Sequence, residues 1–284
     1  MTQVTNPTTP VASIPGAGGG SNIIGAQTQN RLNGTEQGDI ILTFGSNDVI
    51  AGLGGDDLII SGGGSDSIGG GSGNDAIFAG SGDDAVAGGD GNDRIFGGKG
   101  NDVVDGGPGD DLVSGDNGND TVLGGSGNDT VFGGRGNDIV SGGDGNDSLY
   151  GGKDNDTVDG GAGNDLVFGD RGSDVLTGGA GSDTFFFRGF GGDFGVDTIT
   201  DFTPGEDKIV LKSGGVLGAL GTGLDSSEFV VVSNFNAASS PGTANKLVYD
   251  PQNGVLYFNG TGGVLTIAQL QPGLTITSNN LELF

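Results

Sequence analysis

The sequence predicts an all-β fold built from short strands at a fixed nine-residue interval, and three observations carry that prediction. First, Asp recurs at 39, 48, 57, 66, 75, 84, 93, 102, 111, 120, 129, 138, 147, 156, 165, 174 and 183, every step being nine residues. Second, two residues after each of these stands a bulky apolar side chain, from Ile41, Ile50 and Ile59 to Val167, Leu176 and Phe185, with no exception. Third, the chain of 284 residues contains 66 glycines, which open most units and usually precede the Asp by two. Glycine has nothing to bury and loses the most backbone entropy on folding, so a conventional packed core cannot carry such a chain. Its stability needs another source.

Charge and absences point to that source. The 37 acids and 10 bases leave a formal charge of −27, which disfavours nucleic acid and anionic membrane as partners and favours bound cations. With no Cys and no His, disulfides, zinc sites, thiol chemistry and His-dependent triads are excluded. Oxygen is the remaining ligand type, and flexible shells of carboxylates and carbonyls suit calcium better than magnesium. No apolar run approaches a membrane span.

A typical unit reads Gly88-Gly89-Asp90-Gly91-Asn92-Asp93-Arg94-Ile95-Phe96. This pattern resembles the haemolysin-type (RTX) calcium-binding nonapeptide repeat, G-G-x-G-x-D-x-U-x. The residues agree with it physically. The glycines permit positive φ and close approach of neighbouring chain levels, the Asp adds a carboxylate to a turn lined by carbonyls, and the last three residues suffice for a short strand with its middle side chain inward. The resemblance implies a right-handed parallel β-roll (β-solenoid) with two units per coil and calcium held between loops two units apart. All seventeen Asp residues, Asp39 to Asp183, are then metal ligands, divided between two edges of the roll.

At a coil spacing of about 4.8 Å, stacked carboxylates repel by about 3.5 kcal/mol per neighbouring pair at an effective dielectric of 20. The sum along both edges rivals a typical folding stability of roughly 5–15 kcal/mol, so the roll is expected to form only with its cations.

In chain order, residues 1–33 are rich in Thr, Pro, Gly, Asn and Gln and read as a flexible leader without the basic and apolar regions of a cleaved secretory signal. Residues 34–186 form the calcium-binding β-roll. Its first two units are atypical, with Gln37, Thr43, Phe44 and Ser46 in place of glycines, and Asp116, Asp154 and Asp170 also interrupt the glycine pattern. The last position of alternate units gives an 18-residue stripe including Phe78, Phe96, Phe132, Tyr150, Phe168 and Phe186. One coil apart, these rings form a column on one face. Self-stacking that shields a thin core is favoured over a platform for a saccharide or another partner.

Residues 187–284 read as a β-rich C-terminal cap and secretion-signal region, with strand-like runs at 208–211, 229–232, 246–249, 255–258 and 264–267. Asp250-Pro251-Gln252-Asn253-Gly254 marks a hairpin turn. The segment from Asp197-Thr198-Ile199-Thr200-Asp201-Phe202 to Asp207-Lys208-Ile209 is similar to the one that follows the repeats in proteins exported by type I ABC transporters, and the end Leu281-Glu282-Leu283-Phe284 is similar to their acid-plus-hydrophobic termini.

The expectation is a secreted, extracellular or cell-surface calcium-binding repeat protein with a noncatalytic structural, surface or matrix role. The alternatives are an enzyme acting on polysaccharide, with its catalytic residues between Arg188 and Phe284, and a carbohydrate-binding accessory module using the ring column.

Overall fold

The computed structural model describes residues 20–189, 194–212, 229–236, 243, 245–260 and 263–283, and the backbone of 12–15. Two compact units divide the chain at Asp144/Gly145. Among the described residues every regular element is a strand, apart from one 3-10 turn at Ser278–Asn280.

In the first unit, successive nine-residue repeats place strands alternately in two parallel sheets. Arg94–Lys99 pairs in register with Ala76–Ser81 and Leu112–Asn117, matching Ile95 with Ile77 and Val113. Val103–Pro108, half a coil away, pairs with Ala85–Asp90 and Thr121–Ser126. Each strand therefore bonds to the one 18 residues on, and two repeats complete a coil. The second unit repeats the arrangement, as in Ser148–Lys153 against Leu166–Arg171 and Thr157–Ala162 against Val175–Ala180.

The strands are longer than the three residues expected. Most have six, because the ladder continues from the x-U-x triplet through the following Gly-Gly-x. Inward and outward residues alternate along them, so the second and fourth residues are buried. The second is the apolar residue, 0–4 % exposed from Ile41 to Phe185. The fourth is usually glycine, and the reason lies in the carboxylate described below.

The leader is shorter than the composition suggested. Ser21–Ile24 pairs in parallel with Ile40–Leu42, and Arg31–Asn33 with Val49–Ala51, placing Ile23 and Leu32 in the core. Ser21 and Asn30 stand one repeat apart, nine residues ahead of the next Asp, so two units with a polar stand-in for Asp precede residue 34. Residues 1–11 and 16–19 lie outside the described residues.

The coils also continue past Phe186. Asp197–Ile199 pairs with the strand Val175–Ala180, Lys208–Leu211 with Thr184–Phe187, and Leu281–Leu283 with Lys208–Leu211. Leu281 and Leu283 are buried, so the terminal segment is also a hydrophobic edge strand; Phe284 lies outside the described residues. Lys246–Asp250 and Val255–Gly260 pair antiparallel across the expected turn, where Asp250 Oδ1 accepts the Gln252 N–H at 3.0 Å and Gly254 adopts φ 77°.

The ring column forms as stacks. Phe78 and Phe96 stack at 5.2 Å and 7° in the first unit. In the second, Phe168 lies 4.6 Å from Tyr150 and 4.4 Å from Phe186, with Arg188 over its face at 4.2 Å. Phe168 is 5 % exposed and Phe78 41 %, so their contributions to stability differ. Phe168→Ser is expected to cost about 2–3 kcal/mol in lost burial and stacking, and Phe78→Ser about half that. Calcium titrations followed by circular dichroism will show the larger midpoint shift for Phe168→Ser.

Candidate metal centre

The repeat aspartates are buried rather than displayed at the loop surface: all seventeen are between 0 and 3 % exposed. One oxygen of each has a fixed duty. The Asp75 N–H donates to Asp93 Oδ1 at 2.7 Å, Asp93 to Asp111 at 2.7 Å and Asp111 to Asp129 at 2.8 Å. On the other edge Asp84 donates to Asp102 and Asp102 to Asp120, both at 2.8 Å. In the second unit Asp147 donates to Asp165 at 2.8 Å and Asp156 to Asp174 at 2.9 Å.

The other oxygen has no such partner. Oδ2 of Asp48, Asp57, Asp75, Asp84, Asp93, Asp102, Asp111 and Asp120 in the first unit, and of Asp165 and Asp174 in the second, is buried and accepts no hydrogen bond. Leaving a buried polar atom unmatched costs about 1–3 kcal/mol, more for a charge. A column of such atoms points to a ligand outside the chain.

The glycines make room for these oxygens. A Cβ on Gly88 would lie 2.2 Å from Asp93 Oδ2 and 2.6 Å from the Gly106 carbonyl oxygen; at Gly106 the corresponding distances are 2.5 Å to Asp111 Oδ2 and 2.4 Å to the Gly124 oxygen. Carboxylate and carbonyl thus approach each other over a bare Cα. Gly91 has a separate constraint, combining φ 129° with a Cβ position 2.1 Å from the Gly73 oxygen.

Where the repeat departs from the pattern, the polar accounting changes. Asp39 Oδ2 accepts the Thr35 N–H at 2.5 Å and its hydroxyl at 3.1 Å, and Asp66 Oδ2 accepts the Ser61 hydroxyl. These carboxylates are served by the chain itself.

Burial dominates the titration. It pushes Asp57, Asp84, Asp93 and Asp120 up to about 7, with neighbouring aspartates adding to the rise, and Asp75, Asp165 and Asp174 up to about 6. Each is opposed by the hydrogen bond from the preceding Asp. Without a cation, charging these columns at neutral pH opposes the fold.

Two participants lie beyond the regular series. Asp197 Oδ1 accepts the Asp174 N–H at 3.1 Å, and Asp207 Oδ1 accepts that of Asp183 at 3.0 Å. Asp197 is buried and pushed up to about 8. Their spacings of 23 and 24 break the nine-residue rule, but both keep the local signature of Asp followed two residues later by Ile199 or Ile209. That signature is the signal that could have found them. A second ladder was also missed. The residue before the repeat Asp is Asn, Asp or Ser in every unit except that of Asp39, and its side chain receives the N–H of its counterpart one coil later, as Asn74 does from Asn92 at 2.7 Å.

Among the described residues no three acidic side chains gather at one point. An ion would therefore take much of its shell from main-chain carbonyls, which suits calcium with its six to eight oxygen ligands. The orphaned Oδ2 atoms and the oxygens converging over glycine fit such an ion.

The comparisons settle the family. The RTX calcium-binding nonapeptide repeat model matches the chain in overlapping segments from 24–59 to 159–189, which together run without a gap through more than half of it. The chain belongs to the RTX calcium-binding nonapeptide repeat family. No curated protein sequence matches it significantly. Among solved structures it is similar to the AlgE6R3 subunit of the Azotobacter vinelandii mannuronan C5-epimerase, at 23 % identity over 60 % of this chain and 77 % of that one, with a TM-score of 0.30. Calcium is thus the ion of the family, and the repeats of this chain are calcium-binding repeats.

Two outcomes follow from this geometry. Gly88→Ala, which drives a methyl group into Asp93 Oδ2 and the Gly106 carbonyl, is expected to cost about 1–3 kcal/mol and to raise the calcium midpoint of folding. The raised carboxyls also set a pH dependence. Their folded-state values exceed the ordinary 3.8, so the metal-free fold holds more protons than the unfolded chain and loses stability as pH rises from about 4 to about 7. In excess chelator, circular dichroism should show more β structure at pH 4.5 than at pH 8, and calcium affinity should rise over the same interval.

Proposed function

We propose that this chain is a secreted calcium-binding repeat protein that folds on meeting calcium outside the cell and serves a noncatalytic structural role at the surface or in the matrix. The observation that carries the proposal is the column of buried aspartate oxygens without a protein partner. Asp48, Asp57, Asp75, Asp84, Asp93, Asp102, Asp111, Asp120, Asp165 and Asp174 hold calcium through those oxygens. Asp129, Asp138, Asp147, Asp156 and Asp183 do so by repeat equivalence. Asp39 and Asp66, whose second oxygens are served by Thr35 and Ser61, bind weakly. When bound, calcium supplies positive charge that offsets the burial and mutual repulsion of the carboxylates. The chain supplies the oxygens, the glycine clearances and the register.

Such a fold suits export by a type I ABC machinery. Where calcium is scarce, the carboxylate columns keep the chain open and threadable; where calcium is abundant, they close. The terminal strand Leu281–Leu283, paired with Lys208–Leu211, serves as part of an uncleaved C-terminal signal while the chain is open.

The stacked rings favour the structural role over the accessory-module reading, because their faces are turned to one another rather than outward. A recess of about 500 Å³ beside Pro204–Lys208 contains Asp207, but both of its carboxylate oxygens are engaged by the main-chain N–H groups of Asp183 and Thr203, which favours a noncatalytic reading there.

A calcium titration of the purified protein by circular dichroism tests the central reading. Cooperative gain of β structure is expected, and a full β signal at neutral pH in excess chelator would overturn it. In cells, removing the tail from Leu281 should leave the protein inside, whereas removing residues 1–19 should leave secretion intact. Fractionating cultures that express the two variants measures both.

A further inference from the structure

Between residues 34 and 212 the chain has eight basic residues. All eight lie in, or immediately after, strands of the sheet that carries the rings. In the first unit these are Arg94, Lys99 and Arg135, while the opposite sheet presents Asp90, Asp105 and Asp144. In the second unit Lys153, Arg171 and Lys208 lie on the ring-bearing sheet, with Arg188 and Lys212 directly after its strands. Eight of the ten basic residues of a protein of formal charge −27 thus belong to ring-bearing strands or directly follow them, while Arg31 and Lys246 lie in strands of the other sheet.

These cations are exposed, and all but Arg188 lack carboxylate partners among the described residues. Among the described residues Arg188 pairs with Asp170 at 3.7 Å, but Arg94, Lys99, Arg135, Lys153 and Arg171 form no ion pair. Lys153 and Arg171 are direct neighbours across paired strands, where like charges destabilise a sheet. Together they line a recess of about 340 Å³ with Asp154, Asn155 and Gly172. Beside them, Tyr150, Phe168 and Phe186 stack on one another, with Arg188 against Phe168. Neighbouring cations without ion-pair partners suit an anion.

We infer that the ring-bearing strands of the second unit form a binding face for an acidic polysaccharide, with Lys153 and Arg171 as its principal contacts; in the first unit Lys99 and Arg135 hold the same strand position two coils apart, with Asn117 between them. Neighbouring strands lie about 4.8 Å apart, so a linear polyanion laid across them meets Lys153 and Arg171 on successive coils. Nucleic acid fits less well because ring faces, on which bases would stack, are already occupied. The inference requires the calcium-folded roll but neither the export route nor the structural role.

The test uses the full-length protein in calcium with an oligouronate too short to gel, an uncharged oligosaccharide of equal length and single-stranded DNA of matched charge. Binding is measured at several salt concentrations. The oligouronate is expected to bind, weakening as salt rises, and the uncharged sugar to be ignored. Lys153→Gln with Arg171→Gln should lower affinity about tenfold, while Lys153→Arg with Arg171→Lys should keep it. Circular dichroism on the same samples reads the calcium fold separately, so a folded protein that ignores the oligouronate overturns this inference alone. It is also overturned if the Gln variant binds undiminished, or if DNA binds as tightly. The same holds if sedimentation shows self-association that the Gln variant abolishes, since the face would then be occupied by the acidic sheet of a second copy.

Discussion

A carboxylate buried in every half-coil is the constraint on which the rest of the structure depends. Its first oxygen fastens one coil to the next through a main-chain N–H, and in repeats such as those of Asp93 and Asp102 its second accepts no hydrogen bond from the chain. Glycine follows from this arrangement at most repeats, since a Cβ at the inward position facing the carboxylate would crowd it; Thr43, Ser61 and Ala79 are the exceptions. The thin core follows as well: with glycine at one inward position of most strands, a single apolar residue such as Ile95 or Val104 remains to be buried there. Removing the cation therefore exposes a protein with little else to hold it together.

The same constraint separates two kinds of surface. Inward positions are fixed by the carboxylate and the apolar residue, whereas outward positions are free to vary from coil to coil. This chain uses that freedom unevenly: the stacked rings and eight of the ten basic residues go with strands of one sheet, where Asp116 and Asp170 also lie, and Asp90, Asp105, Asp144 and Asp159 with the other. Stacking at 4.4–5.2 Å is a direct outcome of placing a ring at one position of every second unit.

Most of the fold was legible because the repeat is a local rule. The apolar residue two places after each Asp located the strands and their inward side, and the 18-residue ring stripe agreed with the two units per coil that the resemblance implied. Legibility failed where the rule is met by substitutes. Ser21 and Asn30 continue the polar position before the first Asp, so composition alone made residues 20–33 resemble a leader. Asp197 and Asp207 keep the ladder after insertions that destroy the period. At the site, the sequence located the seventeen carboxylates of the regular series but not the unequal duties of their two oxygens. Those arise from coil-to-coil register, which no single unit contains.

Coil-to-coil bonding runs in both directions. The buried Asp takes its hydrogen bond from the coil before, whereas the exposed residue preceding it gives its side-chain oxygen to the coil after, as Asn74 does to Asn92. Every coil therefore ends in the same sockets it begins with, and the roll is indifferent to its own length. Evolution can lengthen or shorten such a chain by unequal recombination, but the faces restrict the step. Adding or losing 18 residues preserves the two surfaces. A step of nine keeps the Asp rhythm intact yet exchanges the sheets for everything downstream, carrying rings and cations to the acidic side. The heritable unit of this protein is the coil, twice the length of the motif by which it is recognised.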